Sequence, residues 1–459
     1  MSCKAHRWLR GAALLGAALL LRGDSCGGNL GENEPRAVTF RLSVGTGTVE
    51  ANGESGPPSV SADGRYVVFS SKAQNLASGS TGFEEIYFRD RVSDLVVNVS
   101  RLGDIRDPKK FVADCFNPAV SADGRFVVFQ TATEFDGVNP NADAGQTNLF
   151  VRDMVTGALR RVGYSNASAT DWPDASLENP SISADGRYVA FQSMASDLGS
   201  FSSGGVTQVY VADMSASPPT YALVSHAAGA SSTGADEHSV DPHLSANGQV
   251  VVFASRASNL GSGGSGIAHI FAGTAPWTGN VTLVSRETGA TGTPFDRDSR
   301  VPFVNSNATH VAFTSIAGNL GGSGPAVFVR ELSSPFTTRR VAESPFAFEL
   351  SVGPAVFLAE ADRVALTQDG RLLAYTRMVP NARDSFGPPE DLQIRVQDLL
   401  SGAERVVSVG PVGGPGNSYS LSPVLSSDGR WAVFLSLADD LVVGDRNGTV
   451  DVFGHGPLR

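Results

Sequence analysis

Cysteine is scarce, at three residues in 459, and charged side chains make up only 18% of the chain. With so few thiols a disulfide framework is excluded, the more so because only Cys26 and Cys115 would remain after removal of an N-terminal leader. Apart from that leader, no apolar run is long enough for a membrane-spanning helix. Gly-x-Ser-x-Gly elbows, phosphate loops, dinucleotide fingerprints and His-Glu-x-x-His are all missing. Positive charge is also short: the net is −11, and dropping Lys4, Arg7, Arg10, Arg22 and Asp24 takes it to about −14. Nucleic acid is thereby excluded as a partner.

The chain does have repetition. Ser61-Ala-Asp-Gly-Arg-Tyr-Val-Val-Phe69 returns at 121–129 and 183–191, and in looser form at 245–253, 305–313, 367–375 and 426–434. One supersecondary unit of about 60 residues is stacked on itself seven times. Asp-Gly between apolar runs marks a tight turn, since Gly takes positive φ without strain. A short strand precedes the turn and a β-branched, aromatic strand follows it. A third strand recurs as Ile86–Asp90, Leu149–Asp153 and Val209–Asp213, and a fourth as Val96–Ser100, Leu223–Ser225, Leu283–Ser285 and Arg405–Ser408. Four antiparallel strands, seven times over, predict an all-β seven-bladed propeller.

The ends fit that ring. Lys4, Arg7 and Arg10 precede an apolar run from Gly11 to Leu21, which reads as a secretory signal over 1–25. Cys26 is a candidate lipid-attachment site, although Gly23-Asp24-Ser25 lacks the expected aliphatic residue; soluble export is the competing reading. A polar linker over 26–35 leads to the propeller at 36–459. Val38–Val44 reads as a fourth strand, and the last repeat ends with only three. The N-terminal strand is therefore expected to complete the last blade and remove the exposed edges.

The repeats resemble the TolB-type, WD-like propeller repeats of exported bacterial envelope proteins, with the core Pro-x-Φ-Ser-x-Asp-Gly-Arg-x-Φ-x-Phe. Pro58, Pro118, Pro180, Pro242, Pro302 and Pro423 hold the proline position, and Val364 departs from it. Asp-Gly softens to Asn247-Gly248 and fails at Asn307-Ala308. The extra α/β domain of TolB has no counterpart here. The resemblance implies export to the periplasm, outer membrane or exterior. It does not imply one activity, because such propellers serve as scaffolds, binding modules and occasional enzymes.

Loop length points to where binding takes place. Turns between strands 1 and 2 and between strands 3 and 4 are tight, whereas strand 2 to 3 loops and blade-to-blade connections are long. Antiparallel order puts both long classes on one rim, which becomes the expected binding face for an envelope protein or glycan. On it Asp236, Glu237, His238, Asp241 and His243, with His226 and His269 nearby, form a candidate binding sector. Imidazole and carboxylate together suit a transition metal; the plainer alternative is a solvated polar loop. Asp445-Arg-Asn447-Gly-Thr-Val-Asp451 has the spacing of a short calcium loop, with Asp445, Asn447 and Asp451 as candidate ligands. The alternative there is an Asx-type turn. No cofactor is required by these motifs. A monomeric, non-enzymatic binding module is the leading expectation, and a metal-assisted enzyme acting on polysaccharide is the alternative.

Overall fold

The structure is a computed structural model that describes residues 37–45, 49–101, 114–132, 145–168, 170–261, 266–322, 324–344, 363–380 and 390–459. The readings placed on 1–25, 26–35 and Cys26 lie outside them.

Each repeat folds where its turn chemistry directs. The Ser61 amide bonds the Tyr66 carbonyl at 2.9 Å and the Gly64 amide bonds the Ser61 carbonyl at 3.0 Å. The Ser61 hydroxyl donates to Asp63 Oδ1 at 2.7 Å and accepts the Tyr66 amide at 3.0 Å. Only Gly64 is left-handed, at φ +73°, whereas Asp63 is not among the positive-φ residues. The turn is thus a type I turn ended by a left-handed glycine, not a two-residue primed hairpin. Arg65 then reaches across to the end of the third strand and grips Asp90 with two bonds, at 2.9 and 2.7 Å.

Seven four-stranded antiparallel blades result, and no helix occurs among the described residues. Blade 1 is Ser59–Val60, Tyr66–Ser71, Glu85–Asp90 and Leu95–Asn98. Blades 2 to 6 follow over 115–161, 177–223, 239–283, 299–343 and 364–406. Blade 7 takes Ser420–Leu425, Ala432–Ser436 and Asp451–Gly456 from the end of the chain and Val38–Arg41 from its start. Val38 pairs with Gly456 and Arg41 with Phe453. Leu42 and Ser43 continue the bonding to Val452, so the closing segment works to Ser43 although its regular strand ends at Arg41. First strands of successive blades neighbour one another all the way round, blade 7 to blade 1 included. An additional hairpin, His226–Ala227 with Ala230–Gly234, sits between blades 3 and 4.

Each blade is filled by the aromatic that closes its repeat. Phe69, Phe129, Phe191, Phe253, Phe313 and Phe434 are fully buried. Each stacks on the ring opposite it on the third strand, with centroids between 5.7 Å for Phe191–Tyr210 and 6.3 Å for Phe129–Phe150. Burying one such ring is worth about 1.5–3 kcal/mol. Blade 6 departs: Tyr375 faces Arg395 and sends its hydroxyl to Glu404. Its central strands, Leu372–Pro380 and Glu390–Asp398, are nine residues long where their counterparts have five or six.

On the short-turn rim, the aromatic that follows a turn arginine packs on the next blade's glycine. A Cβ at Gly124 would lie 2.0 Å from Tyr66, at Gly186 2.3 Å from Phe126, and at Gly64 2.3 Å from Trp431. Blade 5 keeps the same turn with Ala308 at φ +58°. Gly64→Val should therefore lower stability by more than about 2 kcal/mol, adding a β-branched left-handed residue to a collision with Trp431. Ala308→Gly should raise it by about 0.5–1 kcal/mol by relieving the same strain. Denaturant midpoints of the two variants test this, and shifts of the same sign would contradict the turn assignment. Deleting residues 36–46 should open the ring and lower the melting temperature by many degrees; an unchanged melting curve would contradict closure.

Candidate functional site

The two mouths of the central channel differ. On the short-turn rim, backbone bonds link neighbouring turns: Ala62 to Ala122 (2.9 Å), Ala184 to Ala246 (2.8 Å), Asn247 to Ser306 (3.1 Å), Gln368 to Ser427 (3.0 Å) and Asp428 to Ala62 (3.1 Å). The hydroxyls of Ser306 and Ser427, in blades 5 and 7, meet at 2.9 Å across the intervening blade. Small residues bonded this closely constrict that mouth.

Towards the long-loop rim the first strands bulge. Asn117, Asn179, Asp241, Val301 and Ser422, each just before a proline, are left-handed at φ 48–55°. The strand register shifts there in blades 2, 3, 4, 5 and 7. Asn and Asp tolerate this conformation, but a β-branched Val301 does not choose it, so the packing imposes it. Glutamines of the preceding blade support the bulges: Gln130 Oε1 accepts the Asn179 amide (3.4 Å) and Gln192 Oε1 accepts the Asp241 amide (2.9 Å). Asn117 Nδ2 donates to Gln130 Oε1 (3.1 Å) and to Asn179 Oδ1 (3.2 Å), and Gln192 Nε2 donates to Glu178 Oε2 (3.3 Å). Blades 2 to 4 thus line this side of the channel with amides and carboxylates. In the sequence the only signal for this was the Asn-Pro, Asn-Pro, Asp-Pro series at the start of the repeat.

The five residues expected as a binding sector divide between two levels. Asp236 is exposed, but its carboxylate is engaged: Ser258 donates its amide to Oδ1 (2.7 Å) and its hydroxyl to Oδ2 (2.5 Å). Asp174 does the same for Ser196, and Asn52 and Asn417 hold Gln74 and Asp439, so Asp236 performs a latch found in several blades. Glu237 is exposed, and His238 Nδ1 lies 3.0 Å from Thr207 Oγ1. Asp241 belongs to the bulge series lower in the channel. His243 Nδ1 accepts the Val304 amide at 3.4 Å while its ring packs 4.1 Å from Phe303. Ser59 and Ser181 accept the corresponding amides of Val120 and Leu244, which makes His243 the blade 4 version of a clasp between blades. Burial, reinforced by Arg363, lowers its pKa to about 4 and keeps it neutral. His226 faces the carbonyls of Ala227 and Gly279, and His269 faces Ser285. Among the described residues no three His, Cys, Asp or Glu side chains form a metal-ligating group.

Asp445, Asn447 and Asp451 do come together, around a guanidinium. Arg41, on the closing strand, lies 3.0 Å from Asp445, 3.8 Å from Asp451 and 2.7 Å from Glu50. Asn447 donates to Asp451 Oδ2 (2.8 Å) and to the Ala51 carbonyl (3.0 Å), and Ser43 donates to Asp451 Oδ1 (2.6 Å). The positive charge at the centre of the carboxylates is supplied by the chain itself. A calcium ion held by Asp445, Asn447 and Asp451 would have to displace it. Sequence reading missed Arg41 because Asp445 and Asp451 lie some 400 positions away.

No protein-family model and no curated protein matches the chain. Among solved structures it is similar to an oligogalacturonate lyase from Vibrio parahaemolyticus, at 10% identity over 92% of this chain and 96% of that one, with a TM-score of 0.53. An oligogalacturonate lyase in complex with manganese gives 10%, 92%, 98% and 0.51. A TolB from Acinetobacter baumannii gives 13%, 87%, 82% and 0.36. The chain is a seven-bladed β-propeller. At these identities the likeness to the solved structures is one of fold.

The Arg41 cluster generates a stability test. Arg41→Met leaves three carboxylates without their counter-charge and should cost about 3–5 kcal/mol. Burial, aided by Asp451 and Glu50 and opposed by Arg41, pushes the Asp445 carboxyl up to about 6. A carboxyl raised by folding imposes no penalty below its unfolded value near 3.8, and a full penalty above about 6. The stability of Asp445→Asn relative to wild type should therefore rise from pH 4 to 6 and then level off. Taking the difference cancels His243 and His455, whose lowered pKa values make both proteins lose stability on acidification. A flat difference in urea midpoints across that range would refute the assignment.

Proposed function

We propose that the chain is an exported propeller that binds an envelope protein or glycan at its long-loop rim, without catalysing a reaction. One observation carries the reading: the short-turn mouth is constricted by its own turns, while the other mouth is lined by amides and carboxylates of blades 2 to 4. Amide pairs such as Asn117–Asn179 can donate to and accept from peptide groups or sugar hydroxyls alike. The longer central hairpin of blade 6 extends towards the same rim. The TolB-like repeats and the apolar leader support export.

A second reading is a metal-assisted enzyme acting on polysaccharide, favoured by the fold shared with two oligogalacturonate lyases. It needs ligands that converge, and the histidines of blade 4 are engaged separately.

Affinity capture from envelope extract and a glycan array, both with the chain from residue 36, test the first reading. Asn117→Leu/Asn179→Leu should abolish capture at least tenfold, and Arg125→Ala on the opposite rim should leave it intact. Retention by the double variant, or no ligand in either format, would refute it. Depolymerisation of polygalacturonate with added manganese would favour the second reading instead.

A further inference from the structure

The short-turn rim carries a site of its own, independent of the reading above. In four blades a turn arginine grips the carboxylate that ends the third strand: Arg65–Asp90 (2.7 Å), Arg125–Asp153 (2.8 Å), Arg187–Asp213 (2.8 Å) and Arg371–Asp398 (2.7 Å). In the first three the guanidinium also lies over the next side chain, 4.8 Å from Tyr66, 4.8 Å from Phe126 and 4.7 Å from Tyr188. The fold thus displays one guanidinium-binding geometry repeatedly, with a bidentate carboxylate on one side and a flat ring on the other.

Blade 5 keeps the receptor and drops the guanidinium. Register puts His310 opposite Glu331 as Tyr66 stands opposite Asp90, so Thr309 takes the place of Arg65. Blades 4 and 7 differ, since Thr274 and Gly456 there carry no carboxylate. Among the described residues the Glu331 carboxylate accepts only a long bond, 3.4 Å, from the Thr337 amide. His310 packs on Gly370 as Tyr66 packs on Gly124, so its ring occupies the stacking position. Where the arginine would lie there is a cavity of about 420 Å³, lined by Thr309, His310, Glu331, Ser333, Gln368 and Asp369. Two of the chain's own cations lie near it without bonding Glu331: Arg459 holds the lining Asp369 at 2.8 Å, and Arg339 donates to the Leu399 carbonyl at 3.4 Å. Burial lowers the His310 pKa, which favours the neutral ring that stacking on a cation requires.

We propose that this cavity receives a guanidinium from outside the chain, the arginine side chain of a partner protein, held by Glu331 and laid over His310. Lysine fits less well, because a point charge uses neither the two carboxylate oxygens nor the ring face.

N-acetyl-arginine amide and N-acetyl-lysine amide, titrated into the chain from residue 36 by saturation-transfer NMR, provide the test. The arginine probe should bind saturably in the millimolar range and the lysine probe at least fivefold more weakly. Glu331→Gln should weaken the arginine probe at least tenfold. Thr309→Arg rebuilds the repeat's own pair; it should abolish probe binding while holding or raising the melting temperature, so a folding defect cannot mimic the result. Undiminished binding to Thr309→Arg, or no saturable binding to wild type, would overturn the proposal. Free arginine binding more tightly than the blocked amide would overturn the assignment to a protein partner.

Discussion

A hydroxyl caught between a carboxylate and an amide sets the geometry of the whole ring. At Ser61, Ser121, Ser183, Thr367 and Ser426 the side chain donates to an aspartate two residues on, at 2.5–2.7 Å, and accepts the amide five residues on. Ser245 does this with Asn247, and Asn305 accepts the two amides of its turn through its own amide oxygen. The fixed turn forces a left-handed glycine or its substitute. A bare glycine face then admits the preceding blade's aromatic, and the turns come close enough to bond one another around the axis. Blade spacing and the constricted mouth follow from that one local arrangement.

The other constraint is closure. In blades 1, 3, 4 and 6 a serine after the fourth strand accepts an amide of the third: Ser100 from Ile86, Ser225 from Val209, Ser285 from Ile270 and Ser408 from Ile394. Ser43 does so for Val452 at 3.0 Å, which shows the closing segment performing a fourth strand's role in full. Arg41 adds an ionic clasp where the chain supplies no covalent link between the strands it joins. Removing water from three carboxylates and one guanidinium is costly unless the partners stay together, so the cluster favours a closed ring with this register.

Fold was legible because it is written in local signals repeated at nearly fixed spacing. Pro-x-Φ-Ser-x-Asp-Gly-Arg specifies a strand, a turn and a strand without reference to distant residues, and Leu42-Ser43 matches the Val-Ser ending of other fourth strands. The site was legible only in part. Asp236 and His243 drew attention as polar residues in one stretch, yet each serves a repeated structural bond, a role visible only when the blades are superposed in register. Asp445, Asn447 and Asp451 share a short spacing in the sequence, but the group that joins them comes from the opposite end of the chain. The left-handed bulges had a faint trace in Asn-Pro and Asp-Pro, masked because the residue before proline ordinarily favours an extended conformation.

Repetition also gives departures their meaning. A serine, glutamine or arginine in one blade can be weighed against six counterparts under nearly the same packing, so a difference isolates what that side chain does. Gln130 and Gln192 have as counterparts Ser70, Ala254, Thr314, Thr376 and Leu435; Ser70 donates to Glu84, and the Thr376 hydroxyl is buried without a hydrogen-bond partner. Glutamine support for the bulges therefore lies on one arc of the channel, and the bulge also forms in blades 5 and 7, where the preceding blade has Ala254 and Thr376 in the glutamine's place. Blade 5 departs at its tight turn and blade 6 in its long central hairpin. Because the scaffold tolerates each departure at small cost, the propeller can differentiate its two rims separately, one by what it adds to a blade and the other by what it leaves out.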